Sequence, residues 1–212
     1  MATVWKNVAV DMQSAIAAEK TIEGITQANP AVVSCTAHGY SNGDIVYLEV
    51  QGMRQVNEKA CRVAGVTTDS FQLEGVNSTL FDEFTSGTVA EVTLGSAITT
   101  ATDVSASGGD FDMIDTTTIH DNARSQQPGL PSAISFSMTH LWDADNAGLL
   151  ALKAASDNQG KRVFRFRFGT GGKVLLFAGY VGCTMLPGGS AQDKVTTTSV
   201  ITMNGTPTYY AS

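Results

Sequence analysis

The sequence predicts a mainly β protein carrying a single helix, and three observations lead there. Gly, Thr, Ser and Val are abundant while the helix formers Lys, Glu and Leu are thin, a bias that suits pleated structure. Apolar and polar residues alternate in short runs, most clearly at 162–168. There Phe164, Phe166 and Phe168 share one strand face, and Val163, Arg165 and Arg167 share the other. Turn signals punctuate the N-terminal half every eight to twelve residues, the spacing of a small barrel or sandwich. At 212 residues the chain can form one good-sized domain or two small ones.

Taken in order, residues 3–10 alternate as a strand. Residues 11–20 are Ala-rich and predict a helical turn or two, capped by Asp11 or Ser14. Residues 21–93 read as a small all-β, barrel-like module, with strands at 32–36, 45–50, 62–66, 71–73 and 87–92. The stretch 38–44, rich in Gly and Asn, forms one of its turns, because those residues reach positive φ cheaply. A strand at 97–104, a loop and a strand at 113–120 follow. Residues 122–131 hold two prolines and predict an extended surface loop, since proline cannot donate to a ladder. A strand at 134–138 precedes a helix at about 145–157. Asp143 or Asp145 can cap that helix, with Leu149, Leu150, Leu152 and Ala154 on its apolar side and Gly160 as its left-handed C-terminal residue. Strands at 162–168 and 173–182 flank the hairpin turn 169–172. A Thr/Val-rich strand at 194–203 comes last. The expected architecture is a β-sandwich with one flanking helix, built from 1–20 and 94–212, with 21–93 as an insertion.

Charge narrows the function. The net charge is −7, and an acidic chain does not coat nucleic acid. The acidity is local: residues 21–93 carry nine acidic and three basic side chains, whereas 94–212 carry nine and eight. Charged residues make up 16%, below the ~25% usual for soluble domains, which fits both a plain β fold and a subunit that buries its surface in an assembly. Cys35, Cys61 and Cys183 form no CxxC pair, so a disulfide framework and a zinc site are not expected. The N-terminus lacks the apolar core of a signal peptide. No stretch approaches the ~20 apolar residues that span a bilayer. Folding in a bacterial cytoplasm is expected.

No catalytic constellation stands out, and neither a cofactor nor a metal is expected. His38, His120 and His140 are scattered, and no nucleophile accompanies the His120-Asp121 pair. The Gly169-Thr170-Gly171-Gly172 run resembles a phosphate cradle but leads into a strand instead of a helix. Asp103, Asp110, Asp112 and Asp115 lack the register of a calcium loop. Arg165 and Arg167 have no interleaved aromatics for nucleic acid; they are expected to pair with carboxylates of a neighbouring strand or subunit.

The identity lies in the second half. Ile114-Asp115-Thr116-Thr117-Thr118-Ile119-His120-Asp121-Asn122-Ala123-Arg124-Ser125-Gln126-Gln127-Pro128-Gly129-Leu130-Pro131-Ser132-Ala133 is followed by an alternating strand and by a helix opening at Trp142-Asp143-Ala144-Asp145. Two more strands come next, then a Thr/Val-rich strand and the ending Asn204-Gly205-Thr206-Pro207-Thr208. This order of pieces resembles the major tail tube proteins of long-tailed, siphovirus-like bacteriophages. The stretch from Ala37-His38-Gly39 to Phe71-Gln72-Leu73-Glu74-Gly75-Val76 resembles a β-barrel module of phage structural proteins that has a relative in ubiquitin-activating enzymes, a kinship of shape only.

The resemblance implies a late structural virion protein and not an enzyme. Its subunits would form hexameric rings, joined edge to edge into an inner β-barrel and stacked into a tube that delivers double-stranded DNA. Implied partners are other copies of the chain, a tape measure protein, and tail terminator and tail tip proteins; no membrane is implied. Asp103, Asp110, Asp112 and Asp115 are expected in the lumen or at ring contacts, where negative charge keeps DNA from sticking. Asn122, Arg124, Gln126, Gln127, Pro128 and Leu130 are expected on a loop that docks on a neighbour. The competing readings are a contractile tail or tail-like injection system and a glycan-binding surface sandwich. A hydrolase is the third class, and the missing nucleophile, base and acid argue against it.

Overall fold

The computed structural model describes Trp5 and residues 7–169 and 171–211. In chain order the strands are β1 (Val8–Met12), β2 (Ala15–Ile16), β3 (Lys20–Thr21), β4 (Gly24–Ile25), β5 (Ala31–Ser34), β6 (Ile45–Gln51), β7 (Lys59–Ala64), β8 (Ser70–Leu73), β9 (Ser86–Thr93), β10 (Ser96–Ile98), β11 (Ala101–Ser107), β12 (Phe111–Asp115), β13 (Gln126–Pro131), β14 (Ser135–Leu141), β15 (Lys161–Phe168), β16 (Val174–Cys183) and β17 (Thr196–Tyr210). A 3-10 turn spans Arg54–Val56, and the helix α1 spans Ala147–Asp157.

Seven strands form one antiparallel sheet in the order β10-β1-β15-β16-β17-β14-β11. Its two edge strands, β10 and β11, are separated in the chain only by Thr99 and Thr100. A link that short spans at most ~11 Å between its flanking Cα atoms. The sheet therefore curls until its edges approach, giving a half-barrel. Phe164, Phe166, Leu175, Phe177, Met138 and Ile201 fill the inside, together with Leu149 and Leu152 of α1. Phe177 stacks on Phe136 at 5.0 Å and on Phe164 at 5.5 Å between ring centroids, the offset geometry that aromatic rings favour.

The expected strand at 97–104 is thus two strands on opposite edges, broken at Thr99–Thr100. The expected helix at 11–20 does not form. Residues there end β1 and build β2 and β3, both paired with β9. Alanine's helix preference amounts to only tenths of a kcal/mol per residue, and strand pairing outweighs it. Asp11 caps nothing; it receives Arg165 and Arg167. Most of the predicted 3–10 strand lies outside the described residues or ahead of β1.

In α1 the cap is Asn146, whose side chain accepts hydrogen bonds from Gly148 N and Leu149 N. Asp143 instead accepts from Asp145 N at 3.0 Å. Leu149, Leu152 and Ala155 face inward, while Leu150 and Ala154 face outward. The left-handed residue after the helix is Gln159, at φ 49°, not Gly160. Gly148 permits the dock: a Cβ there would sit 2.5 Å from the Ala97 carbonyl of β10.

The strands from 15 to 93 build a second sheet, β2-β9-β6-β7-β8-β5-β4, with β3 also on β9. Its own core holds Phe71, Leu48, Leu73, Met53 and Val33. A third cluster joins the two sheets: Ile45, Tyr47, Ala60 and Val92 pack on Val163, Leu176, Ala178 and Tyr210. Lys161 donates to Glu58 at 2.6 Å, Asn204 donates to Glu58 at 2.6 Å, and Thr208 Oγ1 donates to the Ala60 carbonyl at 2.8 Å. The module thus covers the outer face of β15, β16 and the end of β17.

Candidate functional site

The outer face not covered by the module is the first candidate surface. Side chains directly opposite in an antiparallel ladder share a face. Asp103, Ser105 and Ser107 of β11 pair with Thr139, Ser137 and Ser135 of β14. Those three residues pair in turn with Thr198, Val200 and Thr202 of β17, and the last two reach Gly182 and Tyr180 of β16. The result is a field of hydroxyls with one carboxylate and no cation. Its other side is core: Phe136, Met138, His140, Ser199 and Ile201 alternate with it. The signal stood in the sequence as Ser/Thr alternating with Phe, Met and Ile at 135–139 and 198–202. Sequence reading noted the threonines of 194–203 but did not join them with the serines of 135–139 into one face.

The second candidate is an open edge. Among the described residues, β10 covers only Val10 to Met12 of β1, and β11 has a strand on one side only. Between them lies a cleft of about 560 Å³, lined by Val8, Ala9, Asp11, Ile98, Asp103 and Arg167 among others. Unpaired N–H and C=O rows on such edges invite another strand. Asp11 anchors one wall, receiving Arg165 Nη2 at 2.8 Å and Arg167 Nη2 at 3.2 Å. Both arginines are therefore committed to a carboxylate of the adjacent strand β1.

The third candidate is an arm. Among the described residues β12 and β13 pair only with each other, and every residue from 110 to 128 is exposed. Here the surface loop expected at 122–131 is half strand: Pro128 pairs with Met113 and Pro131 with Phe111 across a bulge. A two-stranded ribbon has two free edges, where a missing N–H costs nothing. The strand expected at 113–120 ends at Asp115. Gly108, at φ +92°, sets the base, where a Cβ would meet the Ala133 carbonyl at 2.1 Å.

The four aspartates do not converge. Asp103 stands on the hydroxyl face, Asp110 at the arm's base, and Asp112 and Asp115 on β12. Hydrogen bonds from Thr117 hold the Asp115 carboxyl below its ordinary value, and the Thr118 N–H does the same for Asp121. Asn122 and Arg124 lie in the turn of the arm; Gln126, Gln127, Pro128 and Leu130 lie on β13.

Groups with potential chemistry are occupied structurally. His38 Nδ1 accepts from Tyr40 N at 3.0 Å while Nε2 faces the Thr67 and Ser70 carbonyls. All three cysteines are buried and free, and burial pushes the Cys61 thiol up to about 11. Among the described residues no His/Cys/Asp/Glu group is placed to hold a metal ion, and no helix is long and apolar enough to cross a membrane.

No curated protein matches the chain. Among solved structures, a chain of the virion of a native gene transfer agent particle is similar at 15% identity with a TM-score of 0.40, over 57% of this chain and 89% of that one. The family model described as phage tail tube protein matches residues 51–212, running through the second half of the module as well as the half-barrel. With a half-barrel, one helix, an open edge and an exposed arm, the chain belongs to the phage tail tube protein family, a structural and non-enzymatic family of the virion that assembles with itself into the tail tube.

Proposed function

We propose that the subunits close into hexameric rings which stack into a hollow tube, that double-stranded DNA passes through it to the host, and that the hydroxyl face of β11, β14 and β17 is its inner wall. The observation that carries this reading is the composition of that face: seven hydroxyl side chains, Val200 and Asp103, with no lysine or arginine. Duplex DNA carries a negative charge every ~1.7 Å, and a basic wall would bind it by releasing counterions. Hydroxyls hold water and offer no such gain.

The open edge supports the ring. A neighbour's strand entering beside β11 would satisfy its free backbone groups, and head-to-tail repetition closes when the rotation divides a full turn. The arm supports the stack, because it projects from the body where no strand of its own chain covers it. Stacking alone sets no length. A tape measure protein in the lumen and terminator and tip proteins at the ends would supply that control, with assembly in the host cytoplasm. Electron microscopy of the purified protein at high concentration tests the reading. Six-fold rings and hollow tubes are expected, and a discrete monomer under every condition would end it.

A further inference from the structure

The module and the half-barrel leave a cavity of about 170 Å³ between them. Ala90 of the module and Ala178 of the half-barrel both line it, and methyl groups are too short to fill the gap. The cavity has a buried end and an open end. Gln13, Tyr47 and Val163 are buried, whereas Ile16, Glu19 and Glu49 are exposed.

The buried end offers donors. Tyr47 is 8% exposed, and among the described residues its hydroxyl has no hydrogen-bond partner. An orphan of this kind is costly until something pairs with it. Burial pushes its pKa up to about 12, so it stands as a neutral O–H at neutral pH. Lys161 lies beside the ring, with Nζ 5.8 Å from the centroid, but gives its protons to Glu58 at 2.6 Å and Glu49 at 3.4 Å. Gln13 accepts from Val163 N at 3.1 Å through Oε1, which leaves its amide N–H groups to donate. One oxygen acceptor would serve both Tyr47 and Gln13.

The open end is acidic. Lys161 and Arg162 stand against Glu19, Glu49 and Glu58, two cations against three carboxylates. That balance favours one added positive charge at the rim. A carboxylate ligand would be a fourth anion there, and a plain amine would leave the phenol unpaired. Size sets the last limit: a cavity of ~150 Å³ holds a benzene-sized molecule.

We propose that the cavity binds a short aliphatic amino alcohol, with its hydroxyl oxygen on Tyr47 and Gln13, its methylenes on Ala90, Ala178 and Val163, and its ammonium between Glu19 and Glu49. The probe is propanolamine, with its amine and hydroxyl at opposite ends of a three-carbon chain; propylamine and propanol are the comparisons. Added to the purified protein at millimolar concentration, the probe should raise the melting temperature saturably and give saturation-transfer NMR signals from its methylenes. Each comparison should bind roughly tenfold more weakly, for the loss of one polar contact. Tyr47→Phe removes the orphan hydroxyl without leaving another group unpaired, so it should keep the fold and weaken binding roughly fivefold or more. Glu19→Gln, at an exposed position, should weaken it similarly and tests the site independently of core packing. No saturable binding of propanolamine to the parent overturns the proposal. Binding that Tyr47→Phe and Glu19→Gln both leave unchanged places the probe elsewhere and overturns it too. Propylamine or propanol binding as tightly as the probe overturns the ligand class.

Discussion

His140 sits where β11, β14 and β17 meet. Its Nε2 lies 2.8 Å from Ser199 Oγ and its Nδ1 lies 3.2 Å from Thr100 Oγ1. Thr100 belongs to the two-residue link that forces the sheet to curl, so this imidazole ties the edge strand to the core. The ring is fully buried, and burial holds its pKa below the ordinary value. The unfolded chain takes up a proton near pH 6.5, while the folded chain resists it. The histidine's contribution is therefore complete above about pH 6.5 and declines as the pH falls below it. Urea unfolding at pH 7 and pH 5 should show this, and His140→Gln should weaken the pH dependence of the midpoint. Equal slopes for both proteins would assign the acid sensitivity elsewhere, with the Arg62–Glu74 bridge next in line. There Arg62 holds the Glu74 carboxyl below its ordinary value, so that pair is lost only at lower pH.

At the scale of elements, the helix shows how burial separates neighbours in sequence. Leu149 is fully buried against the half-barrel and Leu150 is about half exposed. Leu149→Ala should cost roughly 3 kcal/mol through transfer and cavity, and Leu150→Ala should stay within about 0.5 kcal/mol; thermal melts of the two variants compare them directly. The strand at 162–168 was legible because its Phe face alternates with period two, and the strand at 45–50 because it is a short β-branched, apolar run whose first four residues are buried on both faces. The helix was legible in kind but not in its start, because Asp143, Asp145 and Asn146 all carry capping side chains and only the backbone path chooses among them. The break at Thr99–Thr100 was not legible: threonine suits a strand, and only the closing of the sheet demands a bend there. The 126–131 strand was hidden by its prolines, which an arm with free edges tolerates. The aspartates looked like one site because they are close in sequence, and the strand breaks place Asp103 on the hydroxyl face and the others on the arm or at its base. Replacing residues 110–131 by a short Gly-Ser turn should leave the melting temperature nearly unchanged, since those side chains are outside the core. It should also abolish tubes in electron micrographs; tubes from that deletion would remove the arm from the assembly.

At the scale of the molecule, the two sheets divide the labour. The module and the hydroxyl wall occupy different parts of one sheet face, and the boundary runs along Lys161, Glu58 and Asn204. Most of the net negative charge belongs to the module, so on the proposed reading the wall would not be strongly acidic. DNA would pass it because nothing there holds a phosphate, not because the wall repels it. That distinction has a measurable consequence. Thr198 and Thr202 are exposed on the wall and hold no buried partner, so Thr198→Lys with Thr202→Lys should fold and assemble as the parent does. Each ring would then present a band of ammonium groups to the duplex, and every phosphate they capture must release counterions. DNA passage should slow, most at low ionic strength, and recover as salt screens charges beyond the ~8–10 Å Debye length near 0.1–0.15 M. The same two lysines placed on the outer face of α1, at Leu150 and Ala154, should leave passage unchanged. Salt-independent passage at the parent's rate through tubes carrying the wall lysines would show that DNA does not meet this face, and the lumen would have to be sought on another surface of the half-barrel.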